Sequence, residues 1–202
     1  MSKHDYTIQP LIGLGSLRFN SASEDNFALQ EVYGSFRSID RTGDRSYWEE
    51  QIKKAKDLDQ RKRYESILNA MKNFDYTLIT YYYGNCIFAC YKDNKLVEIG
   101  ANDKSIDIYY KDINIFKDDP KNVVDRLIKE LGEFPYIDDQ QIYFKNAAIT
   151  LSCFIEGVVE GEVLWAEEHS DAAEEKSMAF NTHIDISDDE FATYYRYKAG
   201  EI

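Results

Sequence analysis

The order of hydrophobic and polar residues predicts a chain in which short strands alternate with amphipathic helices. Leu11 to Phe19 alternates as a strand does, with two glycines of one parity where a neighbouring element can approach closely. Ser21 and Glu24 then form an S-x-x-E capping box, which predicts a helix that ends at Gly34.

The middle of the chain changes from helical to strand-like spacing. Residues 37–46 are polar and predict a loop, while residues 47–72 carry apolar side chains near a 3.6-residue period and predict a helix with a basic outer face, with a break near Leu58. Short turns then separate four runs rich in β-branched and aromatic residues, which predict an antiparallel meander. These predicted strands are Tyr76 to Tyr83, Cys86 to Tyr91, Leu96 to Gly100 and Ile106 to Tyr110.

The second half repeats this order. Asp119 and Pro120 begin an amphipathic helix that Gly132 ends. Ser187 and Glu190 form another S-x-x-E box, which predicts a short last helix, although a final strand fits the same residues. The strands predicted between the two helices are Gln141 to Phe144, Ile149 to Ile155, Val163 to Ala166 and Met178 to Ile186, with a charged loop or short helix over residues 170–177.

The two halves therefore predict an α+β protein made of two helix-plus-antiparallel-meander units, which form one curved sheet with the helices on one side. We expect a single compact domain over residues 1–202, with duplicated units at 11–110 and 111–202, because few proline and glycine residues are present to form a linker. A chance likeness between two ordinary helix-and-meander units is the alternative.

Composition narrows the cellular setting. The first nine residues lack the apolar core of a signal peptide, and no run approaches the length of a membrane span, so we expect a cytoplasmic protein with no membrane association. Cys86, Cys90 and Cys153 all lie in apolar runs, which indicates buried free thiols in a reducing compartment.

Charge is concentrated near the C-terminal end. Residues 156–190 hold twelve acidic side chains and one lysine, whereas the first 155 residues hold 24 acids and 21 bases. A pI near 4.7 argues against direct nucleic-acid binding and favours a basic protein partner. A solvated surface is the simpler interpretation of the same residues. The candidate partner-binding acids are Glu156, Glu160, Glu162, Glu167, Glu168, Asp171, Glu174, Glu175, Asp185, Asp188, Asp189 and Glu190.

Catalytic and metal-binding patterns are weak. Cys86, Cys90 and His183 lack the spacing of a zinc site, and Gly13-x-Gly15 lacks the third glycine of a dinucleotide loop. The three histidines have no G-x-S-x-G motif to serve, and the adjacent acids Glu167 and Glu168 are poor candidates for a glycosidase pair. We therefore expect no catalysis, no catalytic residues, no cofactor and no metal.

The L-G-x-L-x-F run, the capped helix that ends in glycine and the aromatic meander together resemble the module of beta-lactamase inhibitor protein. They are also similar to acidic immunity proteins of bacterial polymorphic toxin systems, including contact-dependent growth inhibition. The resemblance covers roughly residues 11–168, and the insertion at 37–72 departs from the simple module. It implies a bacterial protein that neutralises one toxin by binding it, and it carries no specific binding residues over to this chain.

The sequence thus favours an immunity protein that holds a basic toxin, such as a nuclease, through the acidic region at 156–190, with Trp165 as an aromatic anchor. Two alternatives stay open. One is a nucleic-acid mimic that blocks a DNA-binding protein, and the other is a hydrolase that uses carboxylates.

Overall fold

The computed structural model describes residues 6–27, 29–70, 76–82, 86–102, 107–166 and 176–198. In these residues helices and strands alternate along the chain. The helices are α1 (Ser23–Phe27), α2 (Gln30–Tyr33), α3 (Asp44–Lys54), α4 (Leu58–Ala70), α5 (Pro120–Leu131) and α6 (Asp188–Phe191). The strands are β1 (Ile8–Gln9), β2 (Gly13–Leu14), β3 (Leu17–Arg18), β4 (Phe36–Asp40), β5 (Leu78–Tyr82), β6 (Ile87–Lys92), β7 (Lys95–Asn102), β8 (Tyr109–Tyr110), β9 (Ile113–Asn114), β10 (Tyr136–Asp138), β11 (Gln141–Phe144), β12 (Ile149–Ser152), β13 (Ile155–Val159), β14 (Glu162–Trp165), β15 (Ser177–Asn181) and β16 (Tyr195–Arg196).

Nine of the described strands form one antiparallel sheet in the order β16-β10-β11-β12-β15-β7-β6-β5-β4. The predicted α+β fold with joined antiparallel meanders is confirmed. The junction is the β7–β15 pair, in which Ile99 lies opposite Phe180 and Gly100 opposite Ala179. Each half of the sheet is preceded by helix, and β13 and β14 form a separate hairpin inserted between β12 and β15.

One hydrophobic core lies along a single face of the sheet. Residues opposite each other across neighbouring strands point to the same face, so one row of apolar side chains crosses the sheet from β5 to β10. That row is Tyr82, Ile87, Ala101, Met178, Leu151, Ile142 and Ile137. The buried stripe of α5, which includes Val123, Val124 and Leu127, belongs to the same core.

Helix α5 has the bounds that its signals predict. The Asp119 side chain accepts a hydrogen bond from the Asn122 amide at 3.0 Å, which satisfies one of the unpaired N–H groups of the first turn. Pro120 begins the helix, and Gly132 adopts the left-handed conformation at φ 67° that ends it.

The first helix differs from its prediction. It is divided into α1 and α2, and the Ser21 hydroxyl donates to the Arg18 carbonyl at 2.6 Å. The first turn is instead capped from a distant hairpin turn, where Asn94 Oδ1 accepts from the Ser23 amide at 3.1 Å. A tertiary contact has therefore taken the place of the local capping box.

Two other N-terminal predictions need correction. Leu11 to Phe19 forms two short strands, β2 and β3, joined by a turn. The predicted close approach of a neighbouring element is present at Gly13, where an added Cβ would lie 1.8 Å from the Leu17 carbonyl oxygen. The predicted loop at 37–46 contains β4, which pairs with β5 at the edge of the sheet. The strand was missed because an edge strand needs little apolar surface, and all but Phe36 of its residues are exposed.

The helical insertion is a hairpin of α3 and α4, broken at residues 55–57 near the expected position. Trp48 and Tyr64 hold the two helices together, with ring centroids 5.5 Å apart. None of the described helices is long and apolar enough to cross a bilayer.

In the second half of the chain the observed strand ends also differ from the predicted ones. The predicted Ile149 to Ile155 strand is divided into β12 and β13 because Cys153 adopts φ 62°, and the last long strand ends at Asn181 instead of Ile186. Of the predicted strand Ile106 to Tyr110, Ile106 lies outside the described residues, and Tyr109–Tyr110 is the strand within 107–110. Ser187 caps α6 as predicted, although the Glu190 carboxylate accepts from the Tyr194 hydroxyl, and both alternatives for the C-terminal end are realised, since α6 is followed by β16.

Helix α6 corrects the expectation that all helices lie on one side. Its buried Phe191 contacts the rings of Tyr136 and Tyr143, with centroids 4.6 and 5.9 Å away. Both tyrosines alternate with core residues of β10 and β11 and so point to the face opposite the main core.

Candidate functional site

The structure places the described members of the acidic set at the surface. Glu167, Glu168, Asp171, Glu174 and Glu175 lie outside the described residues, so their predicted role stays a prediction. The other seven acids are all exposed. They are Glu156, Glu160, Glu162, Asp185, Asp188, Asp189 and Glu190.

Part of this set borders a surface groove of about 440 Å³, which we name the tyrosine–acid groove. Three segments form it: the turn between β10 and β11, strand β13, and the residues that follow α6. Its lining residues are Ile137, Asp138, Asp139, Glu156, Gly157, Val158, Val159, Thr193, Tyr194 and Tyr195.

Strand β16 connects the main sheet to the β13–β14 hairpin. It pairs with β10, with Tyr195 opposite Ile137, and the Tyr195 hydroxyl donates to the Gly161 carbonyl at the hairpin tip at 2.8 Å. The groove therefore lies between the main sheet and the β13–β14 hairpin, which this short strand connects.

An aromatic cluster supports the other wall. The Ser187 hydroxyl accepts from the Glu190 amide at 3.1 Å and caps α6, while Phe191 anchors the helix against the sheet. Lys145 pairs with Asp188 and lies over the Phe191 ring, 4.9 Å from its centroid. These contacts position Tyr194 and Tyr195, which directly follow α6.

Carboxylates make the groove electronegative. Within the described part of the chain, Asp138, Asp139 and Glu156 form no salt bridge and no side-chain hydrogen bond. Burial, with the Glu190 and Asp138 carboxylates nearby, raises the pKa of Tyr194 to about 12. The Tyr194 hydroxyl donates to Glu190 at 3.0 Å, so it remains protonated at neutral pH and acts as a donor.

The pKa of Tyr143 is affected by the same carboxylates. Its pKa is raised to about 12, first by burial and then by the Asp138 and Glu190 carboxylates. Asp138 comes from the end of β10 and Glu190 from α6, which are distant in sequence. The tertiary structure thus joins acids of the predicted region with acids outside it.

Trp165 lies beside the groove rather than in its lining. Its ring packs edge-on against Tyr197 at 5.4 Å between centroids, and it is partly buried against the main core. Its predicted role as a partner anchor stays a prediction, and its packing role is now a structural fact.

Sequence reasoning missed Asp138 and Asp139 and gave no specific weight to Tyr195. Asp138 ends strand β10, and Asp139 lies in the hairpin turn that follows, where aspartate is common, with φ 50°. The one signal that points to them is that two acids occur together between strands, and only the fold brings them opposite Glu156.

The other residues considered for chemistry lie apart. Cys86 and Cys90 are buried and Cys153 is partly buried, all as free thiols, while His183 is exposed and contacts Thr182. Among the described residues no three histidine, cysteine or acidic side chains are arranged to hold a metal ion. His4 and His169 are outside the described ranges.

A half-buried acid, Glu98, lies elsewhere, on the face of the sheet opposite the core. Glu98 accepts a hydrogen bond from the Tyr76 hydroxyl, and Cys90 Sγ lies 4.0 Å from Glu98 Oε1. Burial raises the pKa of Glu98, which the Tyr76 hydrogen bond partly offsets.

No protein-family model, no curated protein and no solved structure matches this chain. The likeness to beta-lactamase inhibitor protein and to immunity proteins therefore stays a prediction that rests on the sequence patterns.

Proposed function

We propose that this protein is an immunity protein, which binds a basic bacterial toxin through its acidic surface and neutralises it without chemistry of its own. The observation that carries the proposal is the tyrosine–acid groove, where Asp138, Asp139 and Glu156 face solvent without a cationic partner among the described residues.

Unpaired exposed carboxylates suit an electrostatic docking surface. Like charges that surround a groove attract a cationic protein, salt screens this attraction over a Debye length of about 8 Å at physiological strength, and the attraction raises the rate of encounter. Contacts with apolar and aromatic side chains then set the lifetime of the complex. The groove offers both kinds of contact.

The tyrosines support binding as well. Tyrosine presents a large, fairly rigid surface with a polar end, which is why it is frequent at protein interfaces. Tyr194 and Tyr195 are held by hydrogen bonds to Glu190 and Gly161, so little side-chain entropy is lost when a partner packs on them.

The partner can be identified by capturing proteins from the producing cell on the full-length chain and analysing them by mass spectrometry. Association rates with the purified partner are then measured over a range of salt concentrations. The variant Asp138→Asn/Asp139→Asn/Glu156→Gln should lower the association rate several-fold and flatten its salt dependence.

A matched control removes the same charge elsewhere. Asp25, Glu31 and Asp59 are exposed and lie outside the groove, so their triple amide variant should leave the association rate nearly unchanged. Co-expression should show the same order, with growth in the presence of the toxin restored by the wild-type chain and the control but less by the groove variant. An association rate that is independent of salt, or a partner that kills no cell, would overturn the proposal.

A further inference from the structure

The tyrosine–acid groove contains apolar as well as charged surface. Val159 is 54% exposed and Tyr195 is 36% exposed, although both are large hydrophobic residues. Leu164, 43% exposed, lies opposite Gly157, a groove residue without a side chain. The groove therefore offers a partner apolar surface as well as carboxylates.

The same corner of the protein already holds two of its own cations over aromatic rings, and one of these cations also pairs with a carboxylate. The Arg196 guanidinium lies 4.1 Å from the centroid of the Tyr136 ring. Lys145 lies over Phe191 and pairs with Asp188. In the groove aromatic rings and carboxylates again occur together, yet none of the described residues that line it is basic.

The lining of the groove has room for a side chain beside Gly157. Gly157 adopts φ 150°, which favours glycine, and a Cβ placed on it would meet no atom within 4 Å. The volume of about 440 Å³ is within the range of sites that enclose small ligands or a few side chains.

From this geometry, and resting on the proposed function, we infer that the groove takes an arginine side chain of the toxin, flanked by an apolar residue. The guanidinium stacks on Tyr195 and pairs with Asp138, Asp139 or Glu156, while the apolar neighbour covers Val159. Arginine suits the site better than lysine because its planar group can stack and form two parallel hydrogen bonds at once.

The inference can be tested on the full-length chain with three capped peptides, Gly-Leu-Arg-Leu-Gly and the same peptide with lysine or citrulline in place of arginine. Citrulline keeps the shape of arginine and removes its charge. Amide chemical shifts of the ¹⁵N-labelled protein should change around Asp139, Gly157 and Tyr195 with the arginine peptide, and its affinity should exceed that of the citrulline peptide by roughly fivefold or more.

Two tyrosine variants separate stacking from hydrogen bonding. Tyr195→Leu removes the ring and should weaken binding of the arginine peptide about fivefold, whereas Tyr195→Phe keeps the ring and should retain most of it. The Asp138→Asn/Asp139→Asn/Glu156→Gln variant should abolish the preference for arginine over citrulline, and the Asp25→Asn/Glu31→Gln/Asp59→Asn control should keep it.

The outcomes distinguish this inference from the proposed function. Equal shifts with the arginine and citrulline peptides, or shifts confined to residues outside the groove, overturn the arginine site. If a captured toxin still associates in a salt-dependent way in that case, the proposed function stands and the contact lies elsewhere. Arginine-selective shifts that are lost in Tyr195→Leu support the inference.

Discussion

Phe191 offers a test of how the groove is built. Its ring is 1% exposed and contacts Tyr136, Tyr143 and Tyr194, while α6 itself has only four residues. So short a helix has almost no stability of its own. We therefore expect Phe191 to hold both α6 and the groove residues that follow it.

Replacing a buried phenylalanine by alanine costs about 3–5 kcal/mol of unfolding free energy because of lost apolar contact and the cavity that remains. Here the cavity lies under a terminal segment, so Phe191→Ala should release that segment while the main core stays folded. A loss of about 3 kcal/mol corresponds to roughly 100-fold faster local opening. Phe191→Leu keeps most of the volume and should cost less than about 1.5 kcal/mol.

Hydrogen exchange followed by mass spectrometry measures this directly. In Phe191→Ala, amides of residues 188–196 should exchange about 100-fold faster, amides of β7 and β15 should be unchanged, and arginine-peptide binding should fall. Phe191→Leu should stay within about tenfold of the wild type. Equal exchange in the two variants, or faster exchange across the whole sheet, would refute the role given to Phe191.

Three further predictions concern the fold. Gly100→Ala should lower the unfolding free energy by about 1–3 kcal/mol in urea unfolding, because its Cβ would lie 1.9 Å from the Phe88 ring. In a Phe88→Ala background this cost should vanish, and equal costs in both backgrounds would contradict the prediction. Burial raises the pKa of Glu98, so the folded state binds the carboxyl proton more tightly than the unfolded state does. The unfolding free energy should therefore fall as pH rises above 4.5, the ordinary pKa of glutamate. Glu98→Gln should lose this part of the pH dependence of stability, and parallel pH profiles of the two proteins would disprove the prediction. Asp119→Ala should cost about 1 kcal/mol in the same unfolding assay through loss of the α5 cap, with exposed Asp25→Ala as a control that changes little.

Helix α5 shows what local sequence could predict. Asp119, Pro120 and Gly132 act within one helix, and the apolar period between them requires a single buried face. These signals need no distant partner, so both bounds could be predicted. The same holds for the Ser187 cap and for the strands β6 and β11, whose short runs of β-branched and aromatic residues lie between turn residues.

Strand β4 and helix α1 show where local signals fail. The polar segment at 36–40 is a strand only because β5 supplies its hydrogen bonds, and the α1 cap comes from Asn94 across the fold. Neither partner can be inferred from the neighbouring residues. Propensity is weak in both segments, so tertiary contacts determine the outcome.

The acidic surface likewise has one feature that the sequence predicts and one that it does not. Sequence alone determined that negative charge is concentrated at residues 156–190 and that the chain forms an α+β body of helices and antiparallel strands. Only the tertiary structure decided which acids share a site, because the pairing of β10 with β16 brings Asp138 and Asp139 to the groove that Glu156 and Tyr195 line. The charge of each residue is a property of the chain, whereas the electrostatic field at a groove depends on distances between side chains. Those distances are fixed only when the sheet has formed.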